Sequence, residues 1–191
     1  MSKYLLSAFF VLFSLQSVNA QYNYTYNNRK KYTAAVMITN PLGFYTKIGG
    51  GLELRLRQTS VVINAATYNG IYEGKQYRFE VDKYIKTTKK NESFWYVKVC
   101  GGDATYNPTK LTLLNDNSNT AVGPVNYIGG GIGLGRRIYM KQHFFLLLNA
   151  GLKYVALPPD FSDEKAEKFR LFFATGPGSV VDANLRFGYQ F

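Results

Sequence analysis

Nine charged side chains stand in the same alternating phase as glycines and polar residues: Glu53, Arg55, Arg78, Glu80, Asp82, Lys98, Lys153, Asp182 and Arg186. Acids and bases brought together in this way can line a passage and gate it, or pair and plug it. Both outcomes require an enclosed interior. Other chemistry-bearing residues are scarce. His143 is the only histidine and Cys100 the only cysteine. Sites needing two imidazoles, such as H-E-x-x-H zinc centres, are excluded. A disulfide framework and multi-cysteine metal sites are excluded too. The sequence has no G-x-x-x-x-G-K-[ST] and no helix-opening G-x-G-x-x-G, hence no nucleotide-binding fingerprint. No catalytic residue, metal or cofactor is expected.

The weaker motifs read as structure. Gly129, Gly131, Gly133 and Gly135 alternate on one face. A phosphate cradle needs a strand-to-helix turn, so these glycines are expected to admit bulky facing side chains. Cys100 reads as a small buried filler. Asn23-Tyr24-Thr25 and Asn91-Glu92-Ser93 match the glycosylation pattern by chance.

The elements that must position the charges are strands. From Val181 to Phe191 apolar and polar residues alternate without a break, with Val181, Ala183, Leu185, Phe187, Tyr189 and Phe191 on one face. This period of two is the strand signature. Phe144, Leu146, Leu148, Ala150, Leu152 and Tyr154 repeat it, as do Ile48, Leu52, Leu54 and Leu56. So do Ile128, Ile132 and Leu134, then Tyr77, Phe79 and Val81, then Trp95, Val97 and Val99, then Val61, Ile63 and Ala65. Tyr32, Ala34, Val36 and Ile38 form a weaker first strand.

Several runs exceed the roughly 5 to 6 residues of an average globular strand. A tilted membrane-spanning strand needs about 9 to 11. The apolar face suits lipid and the charged face suits a narrow interior. Arg57–Ser60, Lys86–Asn91 and Tyr139–Gln142 read as short turns. Longer links run from Asn107 to Pro124 and from Pro158 to about Gly178, with shorter ones at Asn40-Pro41-Leu42-Gly43 and from Asn69 to Gly74. Counted from a periplasmic C-terminus, eight strands result. The predicted fold is all-β: an eight-stranded antiparallel up-and-down transmembrane β-barrel over 32–191. The interior of such a barrel is just wide enough to be filled by side chains, and desolvated charges must pair. The nine charges are therefore expected to form a plug.

Ahead of the barrel, Lys3, the apolar run Tyr4–Phe13 and Val18-Asn19-Ala20 read as a signal peptide over 1–20, cleaved after Ala20. Residues 21–31 become a periplasmic N-terminal segment. Hydrophobic residues make up 46% of the chain, which excludes wholesale disorder. Lys and Arg outnumber Asp and Glu by 23 to 12. The expected topology puts Arg29, Lys30, Lys31, Arg55, Arg57, Lys83, Lys86, Lys89, Lys90, Arg136, Arg137 and Lys141 on the periplasmic side, against Glu53, Asp82 and Glu92. The extracellular half is near neutral. A basic excess points to an anionic partner: lipid headgroups or an acidic periplasmic protein, and not nucleic acid.

The signal segment and the terminal Leu185-Arg186-Phe187-Gly188-Tyr189-Gln190-Phe191 resemble those of the small eight-stranded outer-membrane β-barrels of Gram-negative bacteria, which include OmpX-like and OmpW-like proteins and the OmpA transmembrane domain. The tyrosine content and the Asn-Pro-Leu-Gly start also resemble barrels of Bacteroidota. The family resemblance implies that Phe187, Tyr189 and Phe191 are read by the barrel-assembly machinery, and that the chain sits in the outer membrane among its lipids. Unlike OmpA, the chain is expected to end at the barrel. Some members act on lipid A through a histidine near the extracellular rim, but His143 is expected at the periplasmic end.

The function expected is a non-enzymatic envelope protein with a filled lumen, acting through its loops or periplasmic rim. The rivals are an accessory subunit of a larger outer-membrane complex, a narrow small-solute channel, and a lipid-modifying enzyme. The loop from Pro158 to Gly178 is the candidate contact surface. Its Phe161, Phe169, Leu171, Phe172 and Phe173 would extend the flanking strands, close the mouth or meet a protein partner. Ser162 is expected to cap a short helix that begins with Asp163 and Glu164.

Overall fold

In a computed structural model, residues 32–39, 47–87, 90–107, 121–140, 143–156, 161–174 and 178–191 are described. The signal and N-terminal segments over 1–31 and the Asn40-Pro41-Leu42-Gly43 break lie outside them. Alternation yields the strands β1 (Tyr32–Thr39), β2 (Lys47–Leu56), β3 (Thr59–Asn69), β4 (Tyr72–Thr87), β5 (Asn91–Tyr106), β6 (Val122–Tyr139), β7 (Phe144–Ala156) and β8 (Val181–Gln190). Each pairs antiparallel with the next, and β1 pairs antiparallel with β8, with Val36 opposite Tyr189. The result is a closed up-and-down barrel, in which no ladder edge is left to aggregate.

The faces fall as the sequence phase requires. Leu52, Leu54, Ile128, Ile132, Leu134 and Leu152 are each more than 60% exposed on the outer wall. A water-soluble protein rarely shows a contiguous apolar band of this kind. No helix among the described residues is long and apolar enough to cross a membrane.

Inside, glycines make room for rings. A Cβ at Gly135 would overlap the Phe94 ring, and one at Gly188 the Phe145 ring. The Tyr96 hydroxyl end occupies the space over both Gly133 and Gly151. The alternating glycines of β6 thus serve close packing.

Several links are shorter than the sequence suggests. The Arg57–Ser60 and Lys86–Asn91 turns give up Thr59 and Ser60 to β3, Lys86 and Thr87 to β4 and Asn91 to β5. The link from Asn69 to Gly74 contracts to Gly70 and Ile71, because Tyr72 and Glu73 already pair with Tyr106 and Thr105. The link from Asn107 to Pro124 loses residues at its end, because β6 begins at Val122. Pro124 lies where the β5–β6 register shifts between Ala104 and Tyr106, a position that tolerates a residue without an N–H. After β7 the chain forms two short helices, α1 (Asp163–Lys168) and α2 (Arg170–Ala174), rather than extending the strands. The Ser162 hydroxyl accepts from Lys165 N at 3.4 Å and caps α1.

Candidate functional site: the barrel interior

We call the end bearing the short β2–β3, β4–β5 and β6–β7 turns the turn end, and the opposite one the loop end. All nine sequence-predicted charges lie on the inner face, and all but Arg55 are buried. The structure arranges them in layers.

At the turn end, the Arg55 guanidinium donates to both Glu92 carboxylate oxygens at 2.6 and 3.2 Å. The Tyr139 hydroxyl also donates to Glu92, at 2.8 Å. Arg55 lies 3.8 Å over the Tyr84 ring, and Arg137 lies 4.2 Å over the Phe145 ring. Arg137 is ion-paired with Glu53, which also accepts from the Tyr84 hydroxyl at 3.2 Å. Stacking suits guanidinium because it is planar and weakly hydrated.

In the middle layer, Arg186 Nη2 donates to both Glu80 oxygens at 2.7 Å. Asp82 accepts from the Ser60 hydroxyl at 3.1 Å. Arg78 reaches Glu80 only at 3.8 Å, and its Nε and Nη2 are buried without a hydrogen-bond partner. Toward the loop end, Asp182 collects Lys98 at 2.5 Å, the Tyr96 hydroxyl at 2.5 Å and Asn184 at 2.8 Å. Lys153 is buried on the same inner face. Lys47 donates to Gln76, whose amide donates to the Tyr127 hydroxyl at 3.1 Å.

Above these polar layers the mouth is aromatic. Phe169 and Phe172 have no exposed surface. The Phe172 ring meets Tyr72, Tyr127 and Tyr68 at centroid distances of 5.3, 5.4 and 6.1 Å. The Tyr72 hydroxyl donates to the Lys168 carbonyl at 2.9 Å and holds the end of α1. Phe161 and Phe173 are half-buried beside this cluster, and Leu171 is exposed.

No protein-family model and no curated protein matches the chain. Among solved structures, the N-terminal β-barrel domain of Pseudomonas aeruginosa OprF aligns with a TM-score of 0.54 and 11% identity, covering 85% of this chain and 98% of that one. Neisserial surface protein A (NspA) aligns with a TM-score of 0.45 and 10% identity, covering 83% and 92%. The fold is that of the small eight-stranded outer-membrane barrels. Neither structure bears on the looser likeness to barrels of Bacteroidota.

Two members of the interior network were placed on the rim by sequence reasoning. Arg137 and Glu92 were counted among periplasmic charges, yet both are fully buried inside. The phase already held the signal. Arg137 continues the inward series Gly129, Gly131, Gly133 and Gly135, and Glu92 continues Tyr96, Lys98 and Cys100. Both strands run further than their apolar stripes. The other phase places Phe187, Tyr189 and Phe191 at the turn end, with Tyr189 and Phe191 rings 5.2 Å apart. His143 is at that same end, Nδ1 3.0 Å from the Gln190 carbonyl and its ring stacked on Tyr189.

Proposed function

We propose that the protein is a non-enzymatic barrel of the outer membrane whose lumen is filled by side chains, so that it acts through its outer surfaces and not as a pore. The outer apolar band and the fold shared with the OprF domain support the membrane location. One observation carries the filled-lumen reading. Phe169 and Phe172 are fully buried in the mouth, above layers of buried ion pairs. An ion crossing this path would have to displace aromatic packing and then break charge pairs in a low-dielectric interior, where an uncompensated charge is costly.

The burial of Phe169 and Phe172 favours closure of the mouth over their use as a protein contact, because side chains without exposed surface meet no partner. Planar-bilayer recording on refolded protein tests the reading. The expected result is insertion without reproducible conductance steps. Regular steps of one size would favour the narrow-channel alternative.

A further inference from the structure

The outer wall at the turn end is chemically two-sided. On β7 and β8 it is aromatic: Phe144 stacks on Phe187 at 5.8 Å and meets Tyr189 edge-on at 5.1 Å. On β3 to β6 and their turns it is cationic. Lys83 is flanked by Thr59 and Trp95 in adjacent strands. One step further out, Lys86, Ser93 and Arg136 form a row across β4, β5 and β6. Arg57 in the β2–β3 turn and Lys90 in the β4–β5 turn are exposed beside them. These five cations share one facet.

Among the described residues, the outer face of this facet holds no carboxylate. Asp82 and Glu92, the acids nearest in sequence, are both buried inside, Asp82 on Ser60 and Glu92 on Arg55. Towards the middle of the wall the same strands present Phe79, Val99, Ile132 and Leu134, all exposed and apolar. Trp95 lies between the two zones. An indole with apolar strands on one side and cations on the other marks the headgroup level of a bilayer.

A uniform belt of solvated lysines would surround the whole rim. Among the described residues this one is confined to β3–β6 and gives way to aromatic residues on β7 and β8. We infer that the β3–β6 facet at the turn end is a binding site for the phosphate of an anionic phospholipid, with its acyl chains lying against Phe79, Ile132 and Leu134. The inference rests on the membrane reading above. Anionic headgroups attract clustered Lys and Arg side chains at a membrane surface, and the attraction is weakened by salt.

Trp95 is the only tryptophan of the chain, so it reports on this facet alone. The protein is refolded into phosphatidylcholine vesicles. Brominated phosphatidylglycerol or brominated phosphatidylcholine is then titrated in, and Trp95 quenching gives relative binding. Preference for the anionic lipid is expected to be about tenfold at low salt, falling towards unity at high salt. The triple variant Lys83→Gln/Lys86→Gln/Arg136→Gln is expected to lose the preference, and Lys75→Gln at the loop end to keep it. Heat-modifiable mobility verifies that each variant is folded. Equal quenching by the two lipids in folded wild type overturns the inference while leaving the membrane reading intact. Failure to insert into any vesicle overturns both.

Discussion

Arg137 shows what a charge inside this barrel requires. Its guanidinium is fully buried, paired with Glu53 and packed on the Phe145 ring. Removing one partner strands the other charge. Arg137→Met is expected to destabilise the folded barrel by about 3–5 kcal/mol, and Arg137→Met/Glu53→Gln to recover much of that loss. Urea unfolding in lipid vesicles measures both; a double variant no better than the single would mean that the pair is not a unit. Outward positions follow another rule. Ile132 is exposed on the outer face towards the middle of the wall, so Ile132→Arg is expected to cost about 2–4 kcal/mol, against about 0–1 for Thr67→Arg near the loop end. Equal costs would contradict a lipid-facing band. At this scale the sequence revealed a great deal: phase alone turned Glu53, Arg78, Glu80, Lys98, Asp182 and Arg186 inward. It did not reveal which acid meets which base, since partners such as Glu80 and Arg186 lie on β4 and β8, and their contact depends on barrel closure.

The strands were legible because two solvents act on them. Where lipid faces one side and packed side chains the other, every second residue is apolar, as in β8. Beyond the apolar band both faces turn polar and the alternation fades, although the ladder continues. That is why β4, β5 and β6 run to 16, 16 and 18 residues, and why Tyr72 and Val122 read as loop residues. The two helices after β7 were less legible: Ser162 signalled a cap, but the phenylalanines of α2 read equally well as strand. At the other end of the chain, β8 continues into Phe191, whose N–H donates to the Ala34 carbonyl at 2.9 Å and whose ring packs on Tyr189. That contact is small, while the resemblance makes the terminal aromatics an assembly signal. Deleting Phe191 is therefore expected to lower the amount of folded protein in the outer membrane more than it lowers unfolding stability in vitro. Unchanged folded yield at normal expression would remove the signal reading.

The described barrel has an apolar outside, an interior of largely paired charges and an aromatic cover at the loop end. Its chemistry is turned inward, and its outer differences are confined to rims: aromatic on β7 and β8, cationic on β3 to β6. The proposed function requires a sealed interior. Cys100 reports on it directly, since it is the only cysteine of the chain and is buried on the inner face of β5, below the Tyr68, Tyr127 and Phe172 cluster. Folded protein in vesicles is treated with a small methanethiosulfonate reagent and the labelled fraction followed by mass spectrometry. Cys100 is expected to stay unmodified in the native barrel, to react fully after unfolding, and to react at an intermediate rate in Phe169→Ser/Phe172→Ser. Native Cys100 labelling as fast as the unfolded chain would contradict the sealed interior.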